Sequence, residues 1–204
     1  QSSGDTWNVH KNLMSSLSPI VDCGVHYLDV MCQITESKPL SVSAIGIRLT
    51  EEIPNDNYNY GQLQIRFADG SVGWYECAWG PMISETAFFI KDVIGPKGSV
   101  SIISEDDIHS SDSDNIENHT RNNCLKIHSS ELDNNGKIVS PNKKVVYDED
   151  PSHQDLCDNE QSYFYDSIIN DIDLKDHLED SYKSLQIALA CDQAVKSGGT
   201  IDLD

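Results

Sequence analysis

The chain is short of positive charge. Its 204 residues carry 14 Lys and Arg against 34 Asp and Glu, a formal net charge of −20 at pH 7. A field of that sign repels nucleic acid and anionic lipid, so neither is an expected partner. The plain consequence is solubility; the sharper one is attraction of cationic partners. Long apolar runs are missing too: none approaches the ~18–20 residues of a membrane-spanning helix. No signal peptide leads the chain, and its opening, QSSGDTWNVH, has no initiator Met, so it reads as a piece of a longer protein or a processed product. Cys-x-x-Cys pairs are absent among the six cysteines, 23, 32, 77, 124, 157 and 191. That argues against a zinc ribbon and a redox dithiol. Standing singly in apolar-looking segments, the cysteines read as free thiols, and a cytoplasmic location is the corresponding expectation. Disulfides in an exported protein stay open as the alternative, because the count is even and Asn118-His119-Thr120 fits a glycosylation acceptor. A phosphate-cradling glycine loop is missing as well. Gly95-Pro96-Lys97-Gly98 and Lys196-Ser197-Gly198-Gly199-Thr200 do not lie between a strand and a following helix, and both read as turns.

What is present is a helix, then strands, then helices. Hydrophobic residues make up 38% of the chain, enough for the core of one good-sized domain or two small ones. Residues 1–19 are polar and turn-rich, with Trp7 the only large anchor. Residues 23–35 read as a helix, with Asp22 its N-cap and Pro19 just outside. A strand follows in SVSAIGIRLTEE. NYGQLQIRFADGSVGWYECAWG reads as a hairpin turned at Ala68-Asp69-Gly70-Ser71. ETAFFIKDVIGPKGSVSIIS is a second strand pair, turned at Gly95–Gly98. From Ser104 to about Asn123 the chain is acidic and rich in Ser and Asn, a surface excursion. CLKIHSSEL and KKVVYDE give two more strands around DNNG. The last third has helical spacing, with Leu178, Tyr182, Leu185, Leu189 and Ala190 recurring as its apolar face. Gly198-Gly199 stops that helix, and TIDL forms a closing strand. Consecutive strands with tight turns are antiparallel. The expected fold class is therefore α+β, an open, mainly antiparallel sheet with helices packed on one face, in a single domain over 1–204.

The first helix carries an unusual polar stripe. At about 100° per residue, His26, Asp29 and Gln33 fall within about 40° of Asp22. The remaining directions hold Cys23, Val25, Tyr27, Leu28, Val30, Met31, Cys32 and Ile34, so the helix is expected to be buried apart from the stripe. Asp22 and His26, four residues apart, are within reach of each other. A carboxylate there would orient the imidazole and raise its proton affinity, making His26 a proton acceptor for a substrate hydroxyl. Two plainer readings stand beside this one. Asp22 is a cap and His26 a satisfied core histidine, or the three side chains bind a divalent ion. No further histidine suggests another ligand, and no metal is expected.

At this motif the sequence resembles the C-terminal domain of the Gfo/Idh/MocA family of NAD(P)-dependent oxidoreductases. VDCGVHYLDVM is similar to the family's Asp-x-Gly-x-His-x-x-Asp segment, here Asp22, Gly24, His26 and Asp29. LQIRFADGSVGWYECAW resembles its hairpin with an Asp-Gly-Ser turn, VIGPKGSVSI its Gly-x-x-Gly strand pair, and residues 160–203 its closing helices. Residues 104–123 are the least similar part. The Gly-Gly that many members carry before the aspartate is replaced by SSLSPIV.

The resemblance implies the substrate half of a two-domain enzyme. A Rossmann domain, not in this chain, would hold NAD or NADP and supply the lysine of a Glu-Lys-Pro motif. His26 would sit beside the reacting hydroxyl of a sugar or cyclic polyol, with Asp22 as its partner. Asp29, Trp79 and Glu85 would face the substrate, Trp79 by stacking on the sugar ring; a packed strand end is the plainer reading of 79–86. The open sheet face would join copies into a homo-oligomer. A glycoside hydrolase using tightly bound NAD, or a non-enzymatic sugar or nucleotide sensor, are the alternatives on the same scaffold.

Overall fold

The computed structural model describes residues 7–82, 91–103, 123–148 and 151–203. The chain divides into two compact units, Gln1–Ser84 with Ser167–Asp204, and Glu85–Asp166.

The first unit is an open antiparallel sheet with helices on one face. Strands β1 (Pro39–Ile47), β2 (Tyr60–Phe67), β3 (Val72–Ala78) and β8 (Thr200–Asp202) lie in the order β3-β2-β1-β8. The β2–β3 hairpin turns where Asp-Gly predicts it. Asp69 accepts bonds from the backbone and hydroxyl of Ser71, and Gly70 takes φ +88°. Alternate residues point to one face: Val42 and Ala44 on β1, Leu63, Ile65 and Phe67 on β2, Cys77 on β3, all buried. They meet Leu28 of α2 (Val25–Thr35) and Ile187, Ala188, Cys191 and Ala194 of α4 (Lys175–Ser197).

The face that α4 buries is not the one its large residues mark. Leu178, Tyr182, Leu185 and Leu189 are exposed, at 43–70%, while Ile187 and the small residues Ala188, Cys191 and Ala194 pack on the sheet. Close approach selects small side chains. Opposite α4, a Cβ on Gly46 would stand 2.8 Å from both Tyr58 Cγ and Val195 Cγ1. Period alone does not say which of two apolar stripes is the tight one.

The expected helix start and burial also need correction. A π-helical turn, Ile20–Gly24, runs directly into α2. Ser18, not Asp22, is the cap: its Oγ accepts from Val21 N–H at 3.2 Å. Pro19 already has helical dihedrals, in the first turn where its missing N–H costs nothing. The helix is not sunk in the core either. Val30 and Ile34 are 50% and 54% exposed, and only Leu28 of α2 is fully buried. An apolar composition had implied burial everywhere but the stripe, yet the sheet and α4 cover only part of its circumference.

The N-terminal stretch forms α1, Trp7–Leu13, rather than turns alone. Trp7 Nε1 and Lys11 Nζ both donate to Glu52, at 2.7 and 2.9 Å, and Asn57 Nδ2 donates to Met14 O. Trp7, Met14, Ile53 and Trp79 form a small second core, with Cys23 against it. Buried Asn59 holds the end of β3: its Oδ1 accepts from Leu49 N–H and its Nδ2 donates to Trp79 O at 2.6 Å. At the far end of α4, Asp192 accepts from Tyr58 Oη at 2.9 Å and pairs with Lys196 at 2.8 Å. Gly198, at φ +69°, closes the helix as expected.

In the second unit β4 (Lys91–Gly95), β5 (Gly98–Ile102), β6 (Cys124–Ser129) and β7 (Lys143–Val146) pair in sequence order, each antiparallel to the next. The β4–β5 turn needs glycine: Gly98 has φ +142°, and a Cβ there would overlap His128 O. α3, His153–Ile169, starts in this unit with Ser152 and Asp155 capping each other reciprocally. All six cysteines are free thiols; 77, 124 and 191 are buried, and 23, 32 and 157 are partly exposed. Asn118 and most of the acidic excursion lie outside the described residues.

Candidate functional site at the start of helix α2

Asp22 lies in the π-turn and His26 in the first turn of α2. Turns of this kind recur at functional sites, because one extra residue re-aims the side chains around it. His26 is exposed, and its imidazole has no hydrogen-bond partner among the described residues. The expected Asp22–His26 bond is not formed. Asp22 is instead within 3.6 Å of the Cys23 thiol, which donates to it. Burial, and then the charge of Asp22, push that thiol up to about 12, so Cys23 stays protonated and is no nucleophile at neutral pH.

The stripe divides after His26. Asp29 uses one oxygen on Gln33 Nε2 at 2.7 Å and the other on Ser184 Oγ of α4 at 3.0 Å. Both oxygens are engaged inside the protein, one of them tying two helices together.

Trp79 does not offer a face to a sugar. Its ring is 6% exposed, packed in the second core, with His10 edge-on at 3.9 Å between centroids. α1, unpredicted by the sequence pattern, packs against Trp79 in this unit. Trp79 Nε1 is buried without a partner among the described residues. Met82 sulfur lies 3.7 Å from Asn59 Nδ2, and the side chain stays 43% exposed. Glu85 lies outside the described residues.

Tyr75 was missed by sequence reasoning. It pairs across from Leu63, on the helix-facing side of β3, and stacks on Tyr27 at 4.9 Å and 25°. Burial first, then the neighbouring Cys77, Cys23, Tyr27 and Asp22, hold its phenol far above the ordinary tyrosine value. The available signal was Gly24 itself, since a glycine inside a helix marks a close neighbour.

Two recesses open elsewhere. One of about 360 Å³ lies on the open sheet face beside Ser43, Gln62, Gln64, Trp74 and Thr200; the other, about 460 Å³, lies between α2 and α4 beside Asp29, Glu36, Asp180 and Lys183. Neither is lined by Asp22 or His26. Among the described residues no three His, Cys, Asp or Glu side chains gather as metal ligands do, and no helix is long and apolar enough to cross a membrane.

This geometry suits proton transfer at an exposed imidazole with a carboxylate one turn away. The chain matches the model of an oxidoreductase family's C-terminal alpha/beta domain over residues 1–203. No match is found among curated proteins. Similar solved structures include an oxidoreductase from Agrobacterium radiobacter in complex with NAD+, L-tartaric acid and magnesium. It is 14% identical, with TM-score 0.65, over 98% of this chain and 54% of that one. Scyllo-inositol dehydrogenase from Lactobacillus casei, with NAD(H) and scyllo-inositol, is 17% identical, with TM-score 0.60 and the same coverage. Levoglucosan dehydrogenase, with NADH and levoglucosan, is 15% identical, with TM-score 0.64, over 89% of this chain and 49% of that one. At such identities the likeness is one of fold, and the chain spans about half the length of these proteins.

Proposed function

The chain belongs to the Gfo/Idh/MocA oxidoreductase family, as its C-terminal alpha/beta domain, and from that premise we propose that it is the substrate-binding half of an NAD(P)-dependent sugar or cyclic-polyol dehydrogenase. The observation that carries this reading is His26, an exposed imidazole with no partner among the described residues, on the helix that also bears Asp22. His26 takes the proton from a secondary hydroxyl on oxidation and returns it on reduction. Asp22 lies one turn before it, and exchanging the Cys23 thiol for the imidazole brings its charge to bear on His26. The sugar dehydrogenases among the similar structures support the substrate class.

The glycine turns among the described residues are not phosphate-cradling loops. Gly95 and Gly98 close a turn between two strands, and Gly198 caps a helix that leads into β8. In this proposal a separate Rossmann domain would hold NAD or NADP, which would supply the hydride acceptor. His26→Ala in the full-length enzyme is expected to lower kcat by roughly two to four orders of magnitude, the scale of a lost general base. Turnover near wild type would remove His26 from the reaction.

The open face of the first sheet is the proposed contact with a second copy. It exposes Val72, Trp74, Ile45 and Ile47 at 53–74%, unusual for a surface that stays in water. Trp74→Glu in the full-length protein is expected to lower the molar mass measured by light scattering; an unchanged mass would place the contact elsewhere.

A further inference from the structure

The reciprocal cap at the start of α3 fixes where that helix begins. Ser152 Oγ accepts from Asp155 N–H at 3.1 Å, Asp155 Oδ2 accepts from Ser152 N–H at 3.0 Å, and His153 is the first helical residue. Cys157 then stands one turn on, along the same face. Its Sγ lies 3.6 Å from His153 Nε2. With Nε2 as the unprotonated ring nitrogen, the thiol donates to it, and a thiol beside a base is the arrangement that activates a sulfur nucleophile. Cys157 is also partly exposed, within reach of a reagent. The other five thiols are held back. Cys77, Cys124 and Cys191 are buried; burial, then Asp22, pushes Cys23 up to about 12, and burial raises Cys32. The charge around Cys157 has one sign. From 145 to 174 the chain holds nine Asp and Glu and no Lys or Arg. Glu160, three residues beyond Cys157, is exposed and neighbours it on the helix surface. Such a field draws a cationic reagent and repels an anionic one.

We infer that Cys157 and His153 form a reactive thiol–imidazole pair, a modification site that takes small cationic disulfides, those of aminothiols, into a mixed disulfide. The site is separate from His26 and does not depend on the function proposed above. The thiol proton passes to His153 Nε2. The Cys157 sulfur attacks one sulfur of the reagent, whose S–S bond breaks as the new S–S bond forms. The other half leaves as a thiolate, takes the proton back from His153 and departs as a thiol. Cys157 is oxidised and the departing half is reduced, so the disulfide itself is the only oxidant. Glu160 lies where the ammonium of the reagent would meet a carboxylate. The same acids disfavour a bare thiolate, which makes a base in contact with the thiol matter more.

The test treats the native full-length protein at pH 7 with cystamine, hydroxyethyl disulfide and glutathione disulfide, which are cationic, neutral and anionic. Intact mass and peptide mapping follow which cysteine is modified and how fast, each rate normalised to that of the same reagent with 2-mercaptoethanol. Cys157 is expected to be modified first. Cystamine should outpace glutathione disulfide by roughly tenfold or more at low salt, a gap that closes as salt is raised. A free cysteine is a few per cent thiolate at pH 7, which caps the help of a base at roughly thirtyfold, and His153→Gln should slow all three reagents by roughly tenfold. Glu160→Gln should narrow the preference for cystamine and leave the hydroxyethyl disulfide rate in place, a split that a loss of helix structure would not produce. Modification of another cysteine ahead of Cys157 overturns the site, and wild type alone decides that. A Cys157 rate unchanged in His153→Gln overturns the pair. Glutathione disulfide reacting as fast as cystamine overturns the cationic class.

Discussion

Asp29 Oδ1 accepts a hydrogen bond from Ser184 Oγ at 3.0 Å, across 155 positions of sequence. One residue of the polar stripe on α2 therefore fastens that helix to α4. The stripe is two things laid end to end: an exposed imidazole at its start and a helix–helix tie at its middle.

That tie predicts a measurable coupling. In a double-mutant cycle of Asp29→Ala and Ser184→Ala, urea unfolding should give an interaction of about 1 kcal/mol, since the pair is partly exposed and Ser184 Oγ also bonds Asp180 O. A coupling of zero would mean the two helices are held by apolar contacts alone.

Gly46→Ala tests the close approach of sheet and helix. A methyl group in a strand is ordinarily favourable, but here it meets Tyr58 and Val195 at 2.8 Å. The variant should be destabilised by about 1–3 kcal/mol, the cost of overpacking. A gain in stability would show that α4 can draw back from β1 freely.

The two faces of α4 should respond in opposite ways. Ala188, fully buried, should tolerate Leu poorly, again at about 1–3 kcal/mol. Leu189, half-exposed, should change stability by less than about 0.5 kcal/mol when replaced by Ala. The reverse order would restore the leucine stripe as the core face.

Asp192 makes stability depend on acid. Burial raises its carboxyl, but the bonds from Lys196, Ser18 and Tyr58 outweigh that and hold it below the ordinary aspartate value. A folded-state value below the unfolded one contributes stability that is present above about pH 4 and lost as pH falls through the folded value. Asp192→Asn should therefore be less stable than wild type at pH 7, with the difference shrinking below pH 4. A difference that is constant from pH 7 to pH 3 would show that the charge plays no part.

Much of the fold was legible because its signals are local. Asp69-Gly70 turns the β2–β3 hairpin, Gly95–Gly98 turns β4–β5, and Gly198 ends α4, since each position demands a backbone conformation that few residues adopt. The division of the strands between two sheets was not legible, because strand partners and sheet breaks are long-range choices. The motif residues Asp22 and His26 were visible as a spacing. Their actual partners were not: Asp22 turned to its neighbour Cys23, and Trp79 was covered by α1, whose docking depends on Glu52 and Asn57 far along the chain.

By itself the sequence determined the α+β class, the positions of the turns, the family resemblance and the residues from which a site would be built. All of these depend on periodicity, on glycine and proline geometry, or on short ordered motifs. Tertiary structure alone decided which face of α4 is buried, that Asp29 joins helices, and that Tyr75 comes up against Gly24. Those outcomes turn on which surfaces approach within a few ångströms, a matter of packing between distant segments that spacing along one segment does not encode.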